Sequence, residues 1–317
     1  MLFGDNTMAS LENVSYGKIK RRKKTAASER AFNVFLYAFF IIFAVVTIYP
    51  VFNTLAYSLS DGMDAIRGHI WFFPRVWSLE SYRSLLFERE IIRNAALTTV
   101  ARTLIGTAAG LAANTLLAFI ISRKRFSFKS GLSLFWLITI YAQGGLVTTL
   151  NLYRKLHLTQ SFWVYIIPCL ISGLYVLVIR TYMKGIPDSL EEAAQLEGAG
   201  YMRIFWSIIS PVCKPVYAAI ALFIATSQWN AWFDALVYNK FSPKYTTLQY
   251  ELMKYLTQVA VADQPGTVTA YPVTPYKITP LTLRSALAVL SMLPLIIIYP
   301  FLQRYFVSGI TVRGIKD

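Results

Sequence analysis

The sequence predicts an all-α membrane protein with six transmembrane helices, and three observations carry that expectation. Of 317 residues, 56% are hydrophobic and 15% charged, with a mean hydropathy of +0.47, a balance far from that of soluble domains. Six stretches free of Asp, Glu, Lys and Arg are long enough to cross a hydrocarbon core, which takes roughly 20 residues in a helix. Helix breakers lie inside them: Pro50, Pro168, Pro294, Pro300 and the pair Gly144 and Gly145. Lipid tolerates such breaks only where protein or a water-lined cavity satisfies the freed backbone, so the spans should form a bundle around a pathway.

Taken in order, residues 1–30 are polar and basic and read as a cytoplasmic tail. The first span, Ala31 to Leu59, is too long for a cleaved signal sequence and lacks a small-residue cleavage site, so it reads as a retained helix. An outer loop over 60–93 is too polar to insert, and Ser78 or Glu80 should start a short helix in it. The second span, Thr103 to Ser122, and the third, Ser130 to Tyr153, flank the short loop SRKRFSFK. The fourth runs from Leu158 to Ile179, and a charged loop at 187–212 leads to the fifth, Pro215 to Phe233. An outer loop over 241–280 contains TLQYELMKYLTQV, an amphipathic pattern with Leu248, Leu252 and Leu256 on one face, then the proline-rich ADQPGTVTAYPVTPYKITP, a turn-rich segment. The sixth span, Ser285 to Gln303, completes a transmembrane domain over 31–310, with 311–317 as a second cytoplasmic tail.

The net charge of +15 excludes less than it first suggests. Basic residues gather in KIKRRKK before the first span and in SRKRFSFK, where the positive-inside rule puts both termini in the cytoplasm. That accounts for the charge without nucleic acid. Cys169 and Cys213 lie at or beside spans and read as small packing residues, not as a disulfide. The chain has no phosphate-loop motif, no H-E-x-x-H and no G-x-S-x-G, and its two histidines, His69 and His157, are far apart. No enzyme centre is legible, so work against a gradient would draw on another subunit or on a coupled ion.

The charged loop SLEEAAQLEGAGYMRIFWSIISPVCKP reads as a helical hairpin. Ser189 and Glu192 have the spacing of a capping box, predicting a helix from about Leu190. Ala193 and Ala194 are small enough for another protein to approach the backbone, and Gly198 can take the left-handed conformation that ends a helix. A second helix follows with Tyr201, Ile204, Phe205 and Ile208 at helical spacing, until Pro211 and Pro215 bend the chain toward the next span. Three readings compete: a DNA-binding helix-turn-helix, which tethering between two spans disfavours, a loop that is merely helical, and a docking helix for a partner.

The order EAA, three residues, Gly198, nine residues, Ile208 and then Pro211 resembles the EAA-loop signature of permease subunits of type I binding-protein-dependent ABC importers. Ser210 stands where that pattern has leucine, and Glu197 to Ala199 read EGA for the usual DGA. YPVFNTLAYSLSD at Tyr49 to Asp61 and PLIIIYPFLQRYFVSGITVRGIKD at Pro294 to Asp317 look like the ends of the branch that takes up complex oligosaccharides. The resemblance implies a prokaryotic plasma-membrane subunit paired with a second, non-identical permease, two ATPase subunits that hold ATP and Mg²⁺, and an extracytoplasmic solute-binding protein. Glu192 would pair with a basic group of the ATPase, Ala193 and Ala194 would pack in its cleft, and Gly198 would make the turn. The cargo would be an oligosaccharide, with acidic chains such as those from alginate or pectin in the class, moved by alternating access. The alternatives are an ion-coupled secondary transporter, although no internal repeat is visible, and a membrane scaffold without cargo.

For the cargo, Trp229, Asn230, Trp232 and Phe233 near the end of the fifth span combine flat apolar faces with hydrogen-bonding groups, as sugar stacking requires. An aromatic belt at the membrane surface explains the same residues, Tyr238 most of all. Gln143 and Asn151 in the third span are further lining candidates. Arg102 and Asp234, at or near membrane depth, need protein or water as partners. A structural ion pair or snorkelling explains them better than cargo binding.

Overall fold

A computed structural model describes residues 27–123, 127–142, 144–262 and 277–311, and every named element among them is helical. The basic tail up to residue 26, Gln143, most of the proline-rich segment (263–276) and the tail at 312–317 lie outside the described residues. By length and composition three helices can cross a membrane as single rods, Glu29–Ser58, Glu90–Ser122 and Pro280–Pro300, and three bent pairs raise the number to six if each is one span.

The chain divides into two units at Val51 and Phe52. The first is dominated by helix α1 (Ala27–Ser58), whose side chains from Phe32 through Val46 are largely exposed. Phe35, Phe39 and Phe43 stack along it with ring centroids 6.5 and 6.4 Å apart. A helix that is apolar all round is built for lipid.

The second unit opens with a capping segment of short helices. Asp61 caps α2 (Gly62–Arg67), and Asn53 donates to the carbonyls of Ile70 and Trp71 at 2.7 and 3.1 Å. Helix α3 (Glu80–Arg83) starts where expected, with Ser78 Oγ accepting the Glu80 N–H at 3.3 Å, and runs on into a π turn, Ser84–Glu88.

Helix α4 (Glu90–Ser122) is the centre of the bundle. It begins well before Thr103 because Arg102, which the hydropathy argument kept out of the span, is satisfied by protein partners. Arg102, Gly106, Gly110, Asn114 and Ala118, four residues apart, are all buried. Leu97 and Leu104, on the other side, are about two-thirds exposed at 64% and 66%. A Cβ on Gly106 would come within 2.9 Å of Gln228 Nε2, and one on Gly110 within 3.5 Å of Ile224. This small-residue stripe lets α11 (Lys214–Asn230) lie close against α4, the packing that holds helices together where lipid removes the hydrophobic drive.

The third span is not one rod. It consists of α5 (Lys129–Tyr141) and α6 (Leu146–Lys155), bent by 115°. Gly145, at φ +76° and ψ 164°, occupies a conformation only glycine holds without strain. The fourth begins as two 3₁₀ turns, Phe162–Tyr165 and Ile167–Cys169, around Pro168, and continues at 45° as α7 (Gly173–Lys184). Asn114 repairs that break: its amide donates to Leu170 O at 2.9 Å and its carbonyl accepts the Ser172 N–H at 2.9 Å.

After α11 come α12 (Phe233–Tyr238), α13 (Leu248–Ala262) and α14 (Pro280–Thr311). The buried face of α13 is not the Leu248, Leu252, Leu256 line. Leu248 and Glu251 are buried, Leu252 and Tyr255 are partly buried against the same cluster, and Leu256 is exposed. The face therefore follows the i, i+3, i+4, i+7 rule. Cys213 is buried as expected, but Cys169 is exposed; neither is in a disulfide.

Candidate functional site

The hairpin between α7 and α11 starts with α8 (Asp188–Leu196), two residues earlier than predicted. The capping box does not form: Pro187 occupies the N-cap and no side chain caps the helix. Proline's fixed φ suits a helix start, and Asp188 and Glu191 in the first turn sit favourably beside the positive end of the helix dipole. The other end behaves as expected. Gly198, at φ +80°, donates to Gln195 O at 3.0 Å, and Ala199 donates to Ala194 O at 2.9 Å. Together these bonds make a complete Schellman closure.

The returning arm is α9 (Tyr201–Ile204), a π turn at Phe205–Ile209 and α10 (Ser210–Val212). The widened turn lies immediately before Pro211, where an α-helical ring would clash with the preceding carbonyl and lack a donor. After Cys213 the chain turns by 83° into α11, the bend expected from Pro211 and Pro215.

The two sides of the hairpin differ. Ala194, Ile204, Phe205, Ile209 and Cys213 pack with Ala118, Phe119 and Ile121 of α4 and with Val176, Ile179 and Met183 of α7. Tyr201, expected inward, is 46% exposed, and Ile209 takes an inward place because the π turn shifts the register by one residue. On the outer side Glu192, Ala193 and Gly198 are exposed, as is Leu196 at 91%. The EAA triplet thus splits, with Glu192 and Ala193 facing out and Ala194 facing in. Leu196 was not singled out from sequence; its place one turn after Glu192 was the available signal.

Glu191 also faces in. It pairs with Arg123 at the end of α4, both side chains being more than four-fifths buried, and accepts from Gln195 Nε2 at 3.1 Å. The Arg123 guanidinium lies 4.8 Å from the Phe119 ring centre, and Phe119 meets Phe205 of the returning arm at 5.0 Å.

The aromatic candidates near the C-terminal end of α11 do not form one surface. Trp229 is 6% exposed, donates to Ser291 O at 2.8 Å and packs with Leu85, Ile92, Leu283 and Leu287. Asn230 is exposed and accepts from Gln249 at 3.3 Å. Trp232 and the half-exposed Phe233 meet edge to face, 5.7 Å apart. Asn151 is exposed on α6, and Gln143 lies outside the described residues.

Between these regions Arg102 is tied into a knot. It holds Asp234 through two bonds of 3.2 and 2.5 Å, donates to Gln228 Oε1 at 3.0 Å and to Ala231 O at 3.4 Å, and lies 4.2 Å over the Tyr165 ring. With 1% exposure its donors are spent inside the protein, so it is a structural ion pair. Among the described residues no three His, Cys, Asp or Glu side chains gather as a metal site.

Comparison with known proteins agrees with this architecture. A polygalacturonan/rhamnogalacturonan transport system permease of Bacillus subtilis (strain 168) is 27% identical over 295 residues, covering 90% of this chain and 99% of that protein. An arabinooligosaccharides transport system permease of the same organism is 26% identical, covering 90% and 96%. The crystal structure of a bacterial ABC transporter involved in import of the acidic polysaccharide alginate contains a chain that superposes with a TM-score of 0.80 at 25% identity, over 89% of this chain and 98% of that one. The six-span architecture is therefore the type I permease fold expected from the EAA loop. The family described as the binding-protein-dependent transport system inner membrane component matches residues 107–312, from the glycine stripe of α4 through the hairpin to the end of α14, and the chain belongs to it.

Proposed function

We propose that this chain is one of two non-identical permease subunits of an ATP-driven importer that takes up oligosaccharides released by a solute-binding protein, with both termini in the cytoplasm. The observation that carries the reading is the two-sided hairpin: one side is built into the chain's own core and the other presents Glu192, Ala193 and Leu196 without cover. An exposed leucine beside an exposed glutamate on a short, rigidly closed helix is a docking surface of the helix-in-groove kind. Glu192 pairs with a basic group of an ATPase subunit, Ala193 and Leu196 fill its cleft, and Gly198 closes the turn. ATP and Mg²⁺ belong to the ATPase, whose closure moves the hairpin and biases an alternating-access equilibrium.

The cargo is an acidic oligosaccharide. Polygalacturonan and alginate, named for two of the similar proteins, are both chains of uronic acids, and these support that class, while arabinooligosaccharides, named for a third, make a neutral chain the second reading. The exposed Phe233 and Asn230, with the partly buried Trp232 beside them, are the groups with which the pathway would meet a sugar ring. Uptake tests this. Vesicles holding the assembled complex, with ATP inside and binding protein outside, should accumulate short oligouronates and not their neutral counterparts. Uptake that persists without ATP and collapses with an ionophore would instead identify an ion-coupled transporter.

A further inference from the structure

The two adjacent glutamates of α8 lie in different surroundings: Glu192 is exposed where an ATPase would dock, and Glu191 turns inward to α4. Glu191 reaches the guanidinium of Arg123 at the last turn of α4, with 16% and 12% of the two side chains exposed. Arg123 also receives help in its placement: Nε and Nη2 donate to Ser122 Oγ at 3.0 and 2.9 Å, and its face covers Phe119. Phe119 in turn packs on Phe205. The end of α4 therefore grips both arms of the hairpin, the first by a charge pair and the second by a ring contact.

The same helix is fastened at its outer half. Arg102 binds Gln228 near the end of α11, Ala231 O, and Asp234 of α12, so it ties α4 to the break between those helices. Between the two fastenings α4 is a continuous helix from Glu90 to Ser122 without proline. A rod gripped at both ends carries displacement more directly than the bends on either side of the hairpin, at Gly185 to Pro187 and after Cys213.

We infer that Arg123 and Glu191 are positioning residues that couple the hairpin to α4, so that movement imposed on Glu192 by the ATPase is carried along α4 to the outer break between α11 and α12. The role is distinct from docking: Glu192 holds the ATPase, and Glu191 passes its motion on. The inference rests on the docking function proposed above for the outer face of α8.

The charge pair gives a direct test in the reconstituted complex, read as copurified ATPase subunit, ATP hydrolysis and cargo moved per ATP. Arg123→Gln and Glu191→Gln should each keep the ATPase bound and still hydrolysing, while cargo moved per ATP falls at least about fivefold, the lower end of site-to-site coupling. The exchanged pair, Arg123→Glu with Glu191→Arg, should recover much of that loss, which a simple packing role would not produce; a double-mutant cycle then assigns the coupling to the pair. If one single variant does not assemble, the other supplies the measurement. Unchanged cargo per ATP in either single variant, or loss of the ATPase from Glu191→Gln, overturns the inference. Retention of the ATPase by Glu192→Lys overturns the docking role instead, a result that is read separately.

Discussion

The hairpin at 187–212 and the aromatic cluster at the C-terminal end of α11 drew attention for the same reason: each places unusual side chains beside an apolar span. They divide differently. In the hairpin, exposed and buried residues alternate within a few positions, so that Glu191 and Ala194 belong to the core while Glu192, Ala193 and Leu196 are open. In the cluster, Trp229 is a core residue with its N–H satisfied, and only Asn230, Trp232 and Phe233 keep exposed surface. The comparison teaches that a surface for a partner is read from which neighbours the fold leaves uncovered, and not from the richness of the motif.

The largest effect should fall on the open side of the hairpin. Gly198→Val places a branched residue at φ +80°, and together with Glu192→Lys it should lower uptake roughly thirtyfold or more, as loss of an interface hot spot does. Uptake close to normal would remove the distinction between the two regions. Next is the Arg102 knot. Arg102→Met leaves Asp234 without its partner and should destabilise the purified complex by about 3–5 kcal/mol, read from denaturation, whereas Arg102→Met with Asp234→Leu should cost far less. Uptake of acidic cargo should fall in the single variant with its KM unchanged; a raised KM would make Arg102 a ligand of the sugar.

The α4 stripe comes third. Gly106→Leu drives a side chain into Gln228 and should cost about 1–3 kcal/mol; Leu104→Ala, on the exposed side of the same helix, should cost much less. The smallest effect separates core from pathway within the cluster. Trp229→Phe keeps the ring and loses the bond to Ser291 O, for about 0.5–1.5 kcal/mol of stability with cargo affinity unchanged, whereas Trp232→Ala should raise the KM for uptake. A raised KM in Trp229→Phe would return that residue to the pathway.

Much of the fold was legible because lipid imposes simple rules: apolar length fixed the six spans, and proline and glycine marked three of the breaks. The buried side of α4 was hidden for the same reason. A search for apolar periodicity finds the exposed face, Leu97 and Leu104, while the face packed in the chain's own core is the polar and small line Arg102, Gly106, Gly110, Asn114. Its four-residue spacing was present in the sequence and needed the opposite sign of hydropathy to be seen. In the hairpin, the glycine closure followed from local backbone physics, and the helix start did not, because Pro187 set it before Ser189 could act as a cap. The split of the EAA triplet depends on contacts with α4 and α7, residues distant in sequence, and no local pattern contains it.

Cross-linking tests the two-sided hairpin most directly. In a background carrying Cys169→Ser and Cys213→Ala, single cysteines at Ala193 and Leu196 should join the ATPase subunit on treatment with a short thiol cross-linker, and cysteines at Ala194 and Ile204 should not. Equal cross-linking from all four positions, or none from Ala193 and Leu196, would contradict the account.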